Sequence, residues 1–193
     1  MNTLPTGTVT FVFTDIEGST RLVLRLGDRH REVLETHAQI LRQIVTEEGG
    51  IEVGERGDGF FFVFVDPTKA AGAAARIQRS LAEHPWPAEG TIRVRIGIHT
   101  GEGVLGGDNY MGLEVHRAAR IGNAGHGGQV ILSEATATLL RENLPVDLDL
   151  RGLGCHQLKD LPEGEQLFQL QISGLPSDFP PPRTLGYTNI NLP

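Results

Sequence analysis

Strand-like and helix-like stretches follow one another from Thr8 onward in the order βα-ββα-β, and few architectures accept that order. TVTFVFT, Thr8 to Thr14, is dense in Val, Thr and Phe and predicts a strand. From about Ser19 to Glu48 the apolar spacing turns helical, with Leu24, Leu34, Ile40, Leu41, Ile44 and Val45 as expected core contacts. Ser19 or Thr20 can cap that helix, and Gly27 marks a bend. Ile51 to Val65 reads as two strands joined at Gly57-Asp58-Gly59, since Asp-Gly favours a hairpin turn. Pro67 opens a second helix, and TIRVRIGIHTG alternates as a central strand. The expected fold is therefore α+β, the ferredoxin-like βαββαβ split arrangement, with additions at its C-terminal end.

Those additions begin with a Gly-rich loop over 102–110, which holds a short strand at Val104-Leu105. A helix over GLEVHRAARIGNAG, the strand QVILS and a helix capped by Ser133 follow. A hairpin closes the domain, with strands near Cys155–Leu158 and Gln166–Ile172. After Ser173 the chain becomes Pro-rich and aperiodic. The division is a flexible lead-in at 1–6, one domain at 7–173 and a linker or tail at 174–193.

Composition narrows the function. The formal net charge of −7, from 24 acids and 17 bases, argues against direct nucleic-acid binding by this domain. Cys155 stands alone, so no internal disulfide forms and a reducing cytoplasm is expected. No apolar run reaches the length of a membrane span. GEGVLGG leads into DNYMG rather than a helix and is turn chemistry, and His99, His116 and His126 lack a zinc-ligand spacing.

Two carboxylates carry the chemistry. Asp15 follows the first strand and Asp58 sits in the hairpin turn that lies beside it, so both can reach one point at the sheet edge. Close carboxylates repel unless a proton or cation intervenes, and Mg²⁺ or Mn²⁺ takes oxygen ligands shared with substrate phosphates. The backbone N–H groups of Glu17, Gly18, Ser19 and Thr20 open a helix and offer an anion site alongside. Metal plus helix start points to a nucleoside triphosphate. Taken singly, Asp15 also reads as a helix cap and Asp58 as an ordinary turn residue.

Five stretches, TVTFVFTDIEGSTRL, GDGFFFVF, VRIGIHTG, YMGLEVHRAARI and HGGQVILS, resemble the class III nucleotidyl cyclases over about residues 7–172. The resemblance implies a homodimer with catalytic sites at the subunit interface. It implies two divalent ions, Mg²⁺ or Mn²⁺, held by Asp15, the Ile16 carbonyl and Asp58. By the same register Arg120 stabilises the charged transition state, while Lys159 and Arg95 bind phosphates. Each has a plainer reading: Arg120 as a solvated helix-face charge, Lys159 as an exposed hairpin lysine, Arg95 as the polar face of a strand. The tail resembles the linker that leads, in large bacterial regulators, to an ATPase module and often a helix-turn-helix.

The sequence departs from the family pattern where base and ribose are read. Gly54 replaces a base-reading lysine, with Arg56 nearby; Asn109 replaces its aspartate partner; His116 replaces a ribose-orienting asparagine. An amide at Asn109 can both donate and accept, so it can read more than one base. The expected function is metal-dependent cyclisation of a nucleoside triphosphate, ATP to 3′,5′-cyclic AMP and pyrophosphate first, with altered substrate readers. The alternatives are a cyclase for GTP or a pyrimidine nucleotide, and a regulatory module that binds nucleotide and dimerises without turnover.

Overall fold

Strand periodicity organises the molecule around one sheet. The computed structural model describes residues 3–188, so the ends of the expected lead-in and tail, 1–2 and 189–193, lie outside the described residues. The elements run β1 (Gly7–Ile16), α1 (Ser19–Leu26), a 3₁₀ turn (Gly27–Arg29), α2 (His30–Glu47), β2 (Ile51–Arg56), β3 (Gly59–Phe64) and α3 (Pro67–Glu83). Then come β4 (Val94–Gly106), β5 (Asn109–Met111), α4 (Leu113–Ala124), β6 (Val130–Ser133), α5 (Glu134–Leu140), β7 (Leu148–Gln157), β8 (Gly164–Ile172) and β9 (Gly186–Thr188). The sheet order is β2-β3-β1-β4-β6-β8-β7-β9, with β5 folded back on β4. Its first four strands are the antiparallel ferredoxin-like unit, and β6 adds in parallel to β4.

Alternation sends successive side chains to opposite faces. Val12, Ile16, Phe60, Phe62, Phe64, Ile96 and Ile98 enter the core under α2 and α3. Phe11, Phe13, Phe61 and Val63 face the other way, with Tyr110 of β5 and Ala118 of α4. Fully burying side chains such as Phe11, Phe62 and Leu41 contributes roughly 1.5–3 kcal/mol each, which is what holds the two layers to the sheet.

The helix expected from Ser19 to Glu48 breaks at Gly27, as the sequence suggests, into α1, a 3₁₀ turn and α2. Leu24 is a correction: it is 80% exposed, because α1 buries Leu22 and Leu26, one turn apart, and Leu24 lies opposite them. Val104-Leu105 is not a separate short strand but the far end of β4, paired with β5. The closing hairpin is longer than expected, with β7 starting at Leu148 and β8 at Gly164.

The segment after Ser173 lies against the domain. The Arg183 N–H donates to the Ala124 carbonyl at 2.8 Å, and the Leu185 N–H to that of Gln157 at 3.0 Å. Gln169 donates to the Ser177 carbonyl at 2.7 Å, and β9 pairs with the end of β7. At the other terminus the Tyr110 hydroxyl donates to the Pro5 carbonyl at 2.6 Å. No helix among the described residues is long and apolar enough to cross a membrane.

Candidate active site

The α4 face of the sheet carries the site, and the strand register explains why. In β1, Phe11, Phe13 and Asp15 share that face; in β4, Arg95, Gly97 and His99 do. Asp15 and Arg95 are register partners, and their side chains form an ion pair. Arg95 thus stands on the polar side of β4 and faces the Asp15 carboxylate. Its Nε is buried and makes no hydrogen bond among the described residues.

Asp58 comes to the same corner through the tight β2–β3 turn. Its Oδ2 accepts the Ile16 N–H at 3.1 Å, and its carboxylate also takes the Ser19 hydroxyl. Burial first, and the charge of Asp15 second, push the Asp58 carboxyl above the ordinary range despite those donors. The two carboxylates therefore feel each other. Asp15, the Ile16 carbonyl and Asp58 are the oxygen groups that could hold Mg²⁺ or Mn²⁺ at this corner. Among the described residues no group of three or more His, Cys, Asp or Glu stands ready to hold a metal, so further ligands would have to be substrate or water oxygens.

A cavity of about 690 Å³ opens beside Asp15. Its walls bring together Asp15, Gly54, Arg56, Arg95, Asn109, His116 and Arg120. A Cβ built on Gly54 would meet nothing within 4 Å, so the missing side chain leaves open space. Asn109 is exposed, and its Oδ1 accepts the Tyr110 N–H at 2.7 Å, which leaves the NH₂ as the free end of that amide. His116 is exposed on α4. Arg120, one turn further along, donates to Asp160 at 2.5 Å.

Lys159 and the helix-start residues lie outside those walls. Lys159 is exposed in the turn between β7 and β8, next to the Asp160 that holds Arg120. The Glu17 N–H donates to the Arg93 carbonyl at 2.9 Å, so it is not part of the anion site expected there. The amides from Ser19 onward open α1, which begins after Gly18 turns the chain at φ 69°. The Glu17 carboxylate pairs with Arg183. Burial would raise it, but the Gly127 N–H, Arg183 and His126 hold it below the usual carboxylate range.

Sequence reasoning missed how α4 is held. His99, 1% exposed, bonds Glu114 Oε2 at 2.6 Å through Nε2 and Ser133 Oγ at 2.8 Å through Nδ1. Burial pulls the His99 ring below its usual pKa although Glu114 opposes this, so near neutrality the ring donates from Nε2 and accepts at Nδ1. The alternation of β4 placed His99 and Arg95 on one face, and that was the only signal in the sequence.

Comparisons with known proteins bear on the family and the fold. Residues 1–165 match the family model described as the adenylate and guanylate cyclase catalytic domain. An uncharacterised protein of Mycobacterium tuberculosis is 38% identical over 183 residues, 93% of this chain and 61% of the relative. The chain thus spans about three fifths of the length of that relative. An adenylate cyclase of Lachancea kluyveri is 35% identical over 154 residues, covering 67% of this chain and 8% of its own. A solved structure of Trypanosoma brucei adenylate cyclases in their monomeric state superposes with a TM-score of 0.82 at 26% identity, over 95% of this chain and 97% of that one.

Proposed function

The chain belongs to the adenylate and guanylate cyclase catalytic domain family, and from that we propose that it joins the 3′-hydroxyl of a nucleoside triphosphate to its own α-phosphate and releases pyrophosphate. ATP is the first candidate substrate, cyclic AMP the product, and a pair of chains the working unit. The observation that carries the reading is the approach of Asp58 to the end of β1, where its Oδ2 accepts the Ile16 N–H at 3.1 Å next to Asp15.

Two Mg²⁺ or Mn²⁺ ions between Asp15, the Ile16 carbonyl, Asp58 and the phosphates would favour loss of the 3′-hydroxyl proton and offset the charge on the phosphates. Asp15 and Asp58 supply the negative field that attracts such ions. Arg95, paired to Asp15, is placed to turn from that carboxylate to a phosphate oxygen. The amides at Ser19 and Thr20 orient the triphosphate at the start of α1. Arg120, on leaving Asp160, brings a guanidinium to the α-phosphate, and Lys159 takes the terminal phosphates. His116 fixes the ribose through a ring N–H, while Arg56 and the Asn109 NH₂ border the base beside the gap at Gly54. We place this chemistry in the cytoplasm, with further ATPase or helix-turn-helix domains following in a longer chain.

A second reading rests on specific contacts. Asn109 is half committed to Tyr110, Gly54 contributes nothing, and Arg120 is tied to Asp160. A domain with those features can bind nucleotide and dimerise while turning over slowly or not at all. Incubation of the purified protein with ATP, GTP, CTP or UTP and Mn²⁺ separates the readings. Cyclic product from one of the four, reduced by a factor on the order of 10²–10³ in Asp15→Ala, is the expected result. Nucleotide binding without any cyclic product establishes the regulatory module instead.

A further inference from the structure

We propose that the chain carries a second anion site, separate from the Asp15 cavity, in which Arg21, Arg25, Arg93 and Arg183 take the oligophosphate of a nucleotide-like ligand whose flat apolar part lies beneath the tail at Phe179. The cavity between α1 and the tail, about 790 Å³, is lined by those four arginines with Glu17, Gly18, Leu24 and Thr91. It shares no lining residue with the cavity at Asp15. Four guanidiniums against one carboxylate leave a positive surplus, in a chain whose formal net charge is −7.

Each arginine reaches the cavity from a different constraint. Arg21 and Arg25 stand one turn apart on α1, both exposed, beside the face that buries Leu22 and Leu26. The Arg21 guanidinium folds over Gly18, where a built Cβ would lie 3.7 Å from its Nε. Arg93 precedes β4 and is anchored by its carbonyl, which accepts the Glu17 N–H. Arg183 arrives from the far end of the chain, fixed by its own N–H on Ala124. Among the described residues, Arg21, Arg25 and Arg93 make no ion pair, although the chain has 24 acids. Unpaired like charges gathered round one hollow are relieved by a multivalent anion.

One anion already sits at the edge of this hollow. The Glu17 carboxylate accepts from the Gly127 N–H and from Arg183, and its ionised form is favoured there. Beyond the Glu17–Arg183 bridge lies a cavity of about 590 Å³ that shares Glu17, Thr91, Arg93 and Arg183 with the first. Its remaining walls include Phe179, Pro180, Leu81 and Ile92, a surface suited to a base. Arg183 is one of these shared walls, so a bound oligophosphate competes with Glu17 for it.

The test is titration calorimetry of the full chain with tripolyphosphate and with ATP, in excess chelator, at fixed ionic strength. The Arg21→Ala/Arg25→Ala double variant is expected to weaken tripolyphosphate binding at least roughly tenfold, and Arg93→Gln to weaken it independently. Arg95→Gln, in the other cavity, should leave that binding in place. Phe179→Ala should weaken ATP binding while sparing tripolyphosphate. Circular dichroism verifies that each variant is folded. The proposal is overturned if the arginine variants bind like the unaltered protein. It is equally overturned if Arg95→Gln alone removes the binding, or if sulfate displaces tripolyphosphate at matched ionic strength.

Discussion

At the residue scale, two titratable groups are held against their natural tendency, and each has a measurable consequence. Asp58 has its folded pKa raised by burial and by Asp15. A carboxyl raised on folding adds stability only below its unfolded pKa and loses it as pH rises through the folded value. At neutral pH its ionisation therefore opposes folding, and Asp58→Asn should unfold at higher urea than the unaltered protein while making little cyclic product. Lower stability in Asp58→Asn at pH 7 would contradict a strained carboxylate pair. His37 is the opposite case: 1% exposed, beside Phe60, and pushed by burial to about 4. A depressed histidine leaves stability intact above its unfolded value near 6.5 and removes it as pH falls toward 4. The window is worth on the order of 3 kcal/mol. His37→Leu should flatten the fall in urea midpoint between those pH values; an unchanged slope would assign acid sensitivity to other groups.

At the element scale, the position of α4 decides whether His116 and Arg120 meet Asp15. The helix lies on β4 through a glycine–glycine approach, where a Cβ on Gly97 would stand 2.3 Å from the Gly122 nitrogen. That obstacle is backbone, so only a shift of the helix accommodates it. Gly97→Ala should cost roughly 1–3 kcal/mol by urea denaturation. It should also lower turnover more than substrate affinity, since it moves α4 away from β1 and β4. Full activity in Gly97→Ala would show that α4 does not position the reacting groups. His99 reinforces the same contact from the other end of α4, with Glu114 linked onward to Arg117 and Glu165. The Glu165 carboxyl is raised by burial, with Arg117 opposing.

At the scale of the whole molecule, the proposed working unit of two chains implies mass action. Specific activity should rise with protein concentration through the range in which pairs form and then level off. Assays across dilution, read beside light scattering, verify it; constant specific activity in a light-scattering monomer would place the complete site in one chain. The tail belongs to this scale as well, because it touches distant parts of the domain at once, among them Glu17 after β1, Ala124 at the end of α4, Gln157 before the Lys159 turn and Gln169 of β8.

Local rules made much of this legible. Asp-Gly called for the hairpin that carries Asp58, Gly27 for the bend after α1, and the alternation of TIRVRIGIHTG for a strand with Arg95 and His99 on one side. Such signals act over a few residues, where backbone sterics and side-chain period suffice. Those rules do not say what covers a face, so Leu24 read as core and stands in solvent. Nor do they set pairings across the chain. The order β6-β8-β7, the Asp15–Arg95 pair and the Glu17–Arg183 bridge join residues far apart in sequence. Those contacts form only when the assembled sheet compensates the entropy of bringing distant segments together. The sequence by itself thus determined which residues could do the chemistry, and the tertiary structure decided which of them meet.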